Sequence, residues 1–189
     1  MAKEKGVTAA ELAYEILIEN DGNNFIYAPL VNYADHTFGV CKKMLDDKNA
    51  IMGLGDGGAH VGFILDAGYP TWLISYWSVK QKAYSMEETV RRLTSDTANA
   101  AGLNDRGLLK VGLKADINII DWENVGSSDP FMTQDLPAGG KRLMQYTKGY
   151  VTTIVSGKVT YKNGKFTKER PGTVVKSVKD EEKTLEFIN

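Results

Sequence analysis

The sequence predicts an α/β segment followed by a β-rich module, and three observations carry that prediction. Short apolar runs alternate with amphipathic helical stretches over the first hundred residues. A glycine-rich turn directly follows the second apolar run. Beyond Gly102 the pattern changes to brief β-prone segments separated by glycines. Strands apolar on both faces and separated by amphipathic helices are what a helix-covered parallel sheet requires.

Taken in order, residues 8–20 (TAAELAYEILIEN) place Leu12, Ile16 and Leu17 on one stripe and Glu11, Glu15 and Glu19 near the other face, the spacing of a helix. Thr8 with Glu11 three positions later reads as a capping box, and Asp21-Gly22 ends the element. Residues 25–30 (FIYAPL) read as a buried strand stopped by Pro29, residues 37–47 as a second helix, and residues 50–55 (AIMGLG) as a second strand. Residues 69–84 are strongly aromatic, with Pro70 placed in a helix's first turn. A further helix is predicted from the cap Ser85, with Glu88 at the capping-box position, to a stop at Gly102. Residues 115–122 read as a strand, and residues 149–166 as a hairpin turning at Ser156-Gly157. Between them, residues 126–140 carry Pro130, Pro137 and paired glycines and read as a wrapping loop; residues 176–189 read as a charged tail or short helix.

Composition narrows the function classes. Apolar residues make up 42% and charged residues 25% of the 189, a globular balance. A net charge of -1 supplies no field to gather nucleic acid or anionic lipid. No apolar run reaches the roughly 20 residues a membrane helix needs, and no signal-peptide core follows the start, so the expectation is a cytoplasmic protein. The single cysteine, Cys41, excludes an intrachain disulfide and a multi-cysteine zinc knuckle; packing within a helix is its expected role.

Among residues able to carry chemistry, Asp56 stands first, since a carboxylate after a parallel strand faces the basin formed by neighbouring loops and could take a proton from water. Gly57 and Gly58 would let substrate approach the backbone. Asp-Gly is also a common turn, which is the competing explanation. His60, four positions on, could share the site as a substrate-binding residue, and His36 could face the same rim. Neither HxH nor HExxH occurs, so no metal ligand is assigned within this chain. The run GLGDGG lacks the Gly-Lys-Ser/Thr ending of a phosphate loop. Trp72, Tyr76 and Trp77 form a helical aromatic stripe that reads as core packing in preference to a ligand box, and Arg91, Arg92 and Arg106 either face an anion or answer internal carboxylates.

Residues 53–62 (GLGDGGAHVG), 87–121 (EETVRRLTSDTANAAGLNDRGLLKVGLKADINIID) and 155–176 (VSGKVTYKNGKFTKERPGTVVK) resemble, in order, the end of the N-acyl-D-amino-acid deacylases of the amidohydrolase superfamily. The resemblance implies the last two strand-helix units of a partial (β/α)8 barrel (residues 1–104), a small β-sandwich portion (105–176) and a tail (177–189). It also implies that residues 25–30 and 50–55 match the seventh and eighth barrel strands and that Asp56 matches the proton-shuttling aspartate, with Gly55 where many relatives have serine. In that family, zinc or another divalent metal activates water to cleave an amide; here the first six strands and their ligands are missing. The expectation is therefore a fragment or subunit, inactive alone, that completes its site with the missing N-terminal barrel portion, acts on N-acyl amino acids and self-associates. The alternative is a non-catalytic structural or interaction module.

Overall fold

The computed structural model describes residues 1–29, 31–53 and 60–175. They form two compact units. One comprises Met1–Ala50 with Phe131–Lys141, the other the described residues of Ile51–Pro130 and Arg142–Asn189.

In the first unit a short α1 (Ala2–Lys5) precedes α2 (Ala9–Gly22). The predicted capping box is present: Glu11 N–H donates to Thr8 Oγ1 at 3.2 Å, and Thr8 N–H donates to the Glu11 carboxylate at 2.8 Å. The backbone bond from Thr8 is the main cause holding the Glu11 carboxyl below its usual range. Regular helix ends at Glu19, extended at ψ 156°, after which Asn20 and Asp21 turn left-handed at φ 53° and 54°, a region asparagine and aspartate tolerate better than most residues. Leu12 is buried, while Leu17 of the predicted stripe is 44% exposed. The second predicted helix is α3 (Gly39–Asp46), in which half-buried Cys41 directs Sγ at Asn32 C=O, 3.6 Å away.

The two predicted barrel strands differ from expectation. Residues 25–29 and 50–53 have no strand ladder; Leu30, Leu54 and Gly55 lie outside the described residues. A strand exists only beside a hydrogen-bonding neighbour, and a parallel neighbour must arrive through a crossover of a dozen or more residues. Among the described residues no such neighbour lies beside either run.

The core of the second unit is built on the aromatic segment. α4 (Tyr69–Trp72), with Pro70 in its first turn, continues as a π-helix over Leu73–Lys80. Gln81 N–H closes that helix on Tyr76 C=O at 2.8 Å, the i to i−5 bond of the wider spiral. Leu73, Ile74 and Trp77 are buried from this segment, joined by Tyr84, Thr89, Ala98 and Val125. Tyr150 meets Thr71 hydroxyl to hydroxyl at 3.0 Å.

The single helix predicted between Ser85 and Gly102 is broken at Thr94 (φ −125°, ψ −85°) into α5 (Met86–Leu93) and α6 (Ser95–Ala100). Ser85 caps as expected, accepting from Glu88 N–H at 3.1 Å, but the Glu88 side chain turns to Arg92 instead of completing a box. The predicted stop holds. Gly102 N–H donates to Asn99 C=O at 3.1 Å and Leu103 N–H to Ala98 C=O at 2.8 Å, with Gly102 left-handed at φ 71°. Those two bonds are the Schellman closure of a helix.

The β-rich region contains β1 (Ile117–Ile120), β2 (Gly126–Ser127), β3 (Phe131–Leu136), β4 (Gly140–Met144), β5 (Thr147–Lys148), β6 (Tyr150–Val155), β7 (Lys158–Lys162) and β8 (Lys165–Phe166). Strands β1, β6, β7 and β8 form an antiparallel sheet in that order; β2 pairs with β5 and β3 with β4. The predicted hairpin is β6–β7, with Ser156 at φ 49° and Gly157 at φ 77°, the two positive values of a type I′ turn. A second such turn, Asn163-Gly164 (φ 48° and 73°), adds β8. The wrapping loop expected over 126–140 instead contains β2 and β3, because only its prolines and glycines break the extended backbone and Phe131–Leu136 holds neither. No helix among the described residues is long and apolar enough to cross a membrane.

Candidate functional site

Asp56, Gly57 and Gly58 lie outside the described residues. His60 is exposed and left-handed at φ 55°. Its carbonyl accepts from Phe63 N–H at 2.9 Å and Ile64 N–H at 3.0 Å, closing a tight turn. Its ring meets the Phe63 ring edge-on, centroids 5.2 Å apart. Directly after it, Val61 C=O accepts from Leu143 N–H at 2.7 Å, which fastens the segment following the glycine-rich run to β4.

In the other unit, exposed His36 sits at φ 57° with its ring edge-on to Tyr33 at 6.1 Å. Beside it, the Asp35 carboxylate accepts from the Thr37 hydroxyl at 2.9 Å and the Thr37 amide at 3.0 Å. The hydroxyl bond is the larger cause of a carboxyl lowered from its usual range. Asp35 is thus engaged in ordering its own loop.

Among the described residues no three histidine, cysteine, aspartate or glutamate side chains are grouped so as to hold a metal ion. The described residues therefore do not by themselves supply the three or four protein ligands at about 2 Å that a divalent metal needs.

Arg91, Arg92 and Arg106 each answer a carboxylate of the chain itself. Arg91 pairs with Asp96, and Arg92 reaches Glu88 at 2.8 Å while lying 4.5 Å over the Tyr84 ring. Arg106 forks onto both oxygens of Asp105 at 2.8 and 3.0 Å and reaches Asp116 at 3.2 Å. Asp116 also accepts from Ser156 N–H at 2.8 Å, so the approach to β1 is clamped to the β6–β7 turn. The Arg106 hydrogen bonds hold the Asp105 carboxyl below its usual range. The aromatic stripe is packed on itself: Trp72 stacks on Tyr76 at 4.8 Å with planes 5° apart, and Trp77 meets both edge-on.

A cleft of about 230 Å³ lies in the second unit, walled by residues 61–68 just after His60 and by residues 142–147 of β4 and its continuation. Sequence reasoning missed it because it joins segments some eighty positions apart. The local signal was the β-prone run Arg142–Met144, which supplies one wall once it is an extended strand.

The sequence profile of the amidohydrolase family matches residues 25–161, well over half of the chain, and the match includes Asp56 and His60. The chain belongs to the amidohydrolase family. A dihydroorotase from Lactobacillus acidophilus is 33% identical to it over 89 residues, covering 45% of this chain and 20% of that protein. The chain thus spans about a fifth of the length of the curated relative it matches. No solved structure matches the chain.

Proposed function

We propose that this chain forms part of a cytoplasmic, metal-dependent amide hydrolase acting on N-acyl amino acids, including those of D configuration. The family match across residues 25–161 carries the reading; the deacylase-like order of its three segments supplies the substrate class. Asp56 takes the proton of the attacking water and passes it to the amide nitrogen as the carbon–nitrogen bond breaks, leaving a carboxylate and an amine. Gly57 and Gly58 admit the substrate, and His60 lines its entry. The metal ligands and remaining barrel strands come from residues outside these 189, and the partial barrel with its β-sandwich belongs to that completed molecule.

The reading is tested by supplying zinc or manganese to the chain alone and to the chain joined to the protein encoded upstream, each with N-acyl-D- and N-acyl-L-amino acids. Turnover is expected only in the joined form. A second reading follows from the dihydroorotase similarity: hydrolysis of dihydroorotate in preference to every acyl amino acid would replace the linear amide with a cyclic one. Absence of hydrolysis in both forms would favour a non-catalytic module.

In the joined enzyme, His60→Ala is expected to raise KM about tenfold with kcat, metal content and melting temperature little changed. Unaltered kinetics with a lowered melting temperature would make His60 a packing residue instead. The isolated chain is expected to self-associate, because Tyr27, Val31 and Leu109 are 84%, 76% and 84% exposed. Light scattering over a dilution series reads this directly, and a monomer at every concentration rejects it.

A further inference from the structure

The cleft beside β4 has the composition of a site for one hydrocarbon group. Val61, Ile64, Leu65, Leu143 and Met144 contribute apolar wall, yet each is only half-buried and none belongs to the packed core. Apolar side chains left partly open around a concavity gain from any hydrocarbon that displaces water there. Three lining residues, Arg142, Gln145 and Thr147, are polar. Gln145 donates its amide to Ser128 C=O at 2.7 Å, and Arg142 stands among the lining residues. The wall is also held in place, since the Leu143 amide to Val61 carbonyl bond joins its two sides.

Size limits the occupant. Pockets for whole drug-sized ligands run to roughly 300–1,000 Å³, and 230 Å³ falls below that range. At about 30 Å³ for a water-sized group, the cleft holds on the order of seven such groups. That suits one aliphatic chain of about six carbons, not a whole acyl amino acid. Gly68 and Gln145 approach closely within the lining, where a Cβ on Gly68 would lie 3.2 Å from Gln145 Oε1.

We propose that this cleft, between residues 61–68 and β4, receives the aliphatic group of an N-acyl amino acid and sets the preferred chain length. The assignment rests on the amide-hydrolase reading above and adds the specificity-determining residues. The aliphatic group is either the acyl chain or the side chain of the amino acid, which share the same chemistry and differ in which end of the substrate enters.

The test is a nuclear magnetic resonance titration of the 189-residue chain with two series. One lengthens the acyl group on N-acylglycines; the other lengthens the side chain on N-acetyl amino acids. In the series that enters, binding is expected to tighten about fourfold per methylene and to level off near six carbons, with methyl shifts at Val61, Ile64, Leu65 and Leu143. Ala67→Leu, which narrows the cleft, should move the plateau to shorter chains, and Met144→Ala should move it to longer ones. Length-independent binding in both series, or shifts confined to other methyl groups, would overturn the assignment. Binding is read here without turnover, so failure of hydrolysis in the joined enzyme would remove the hydrolase reading and leave a chain-length-dependent cleft in place.

Discussion

Asp56→Asn in the joined, metal-loaded enzyme is expected to lower kcat/KM for amide hydrolysis by about 10²–10⁴-fold, the range that a positioned general acid–base group supplies. Asparagine preserves size and shape but cannot accept the proton of water, so the loss should appear in kcat with KM nearly constant. The melting temperature and metal content should stay at parental values. Serine at position 55, the residue many deacylases carry before the aspartate, gives a useful comparison, because Gly55→Ser leaves the carboxylate in place and should retain turnover. Near-parental kcat in Asp56→Asn would remove the aspartate from the chemistry and leave it as a turn residue.

Gly149→Ala is expected to destabilise the second unit by about 3 kcal/mol, combining roughly 1–2 kcal/mol of left-handed backbone strain with an overpacking penalty of similar size. Gly149 lies between β5 and β6 at φ 88°, and a Cβ there would stand 2.6 Å from Val125 Cα and 3.0 Å from Val125 N. Backbone is the obstacle, so no rotamer change relieves it. Val125 is itself buried, and Gly149 C=O accepts from Asp121 N–H at 2.8 Å, which leaves little freedom to separate the two strands. Thermal unfolding should shift downward by about 6–12 °C for a protein of this size. Gly157→Ala is the control: φ is 77° but nothing lies within 4 Å of the new methyl group, so only the backbone part should be lost. Equal losses at both positions would show that close approach to Val125 contributes nothing.

Elements specified by their own residues were legible in the sequence. Thr8 with Glu11, Ser85, Gly102 and Ser156-Gly157 each fix a local backbone geometry, and each acts as read. The Asn163-Gly164 turn carried the same signal and would have revealed β8. Elements that depend on distant partners were not legible. Residues 25–30 and 50–55 have strand composition, but a strand is a property of a pair. The break at Thr94 follows neither a glycine nor a proline, and nothing in the local sequence marks it. Within the candidate site, His60 could be singled out by its spacing from Asp56. The opposing wall from β4 could not, because contact between positions 61 and 143 is set by tertiary structure alone.

The two type I′ turns also determine the order in which the main sheet assembles. Strands β6, β7 and β8 are neighbours in sequence, and each pairing closes a loop of only two residues. Hairpins of this kind form in about 1–10 μs. Strand β1 meets β6 only after Ile120 finds Tyr150 across a loop of about 30 residues, an additional closure entropy on the order of 2 kcal/mol. On these closure costs the meander is expected to form first, with β1 docking onto it afterwards. The Asp116 bond to the Ser156 amide then ties the long-range strand to one of the two turns that shape the meander.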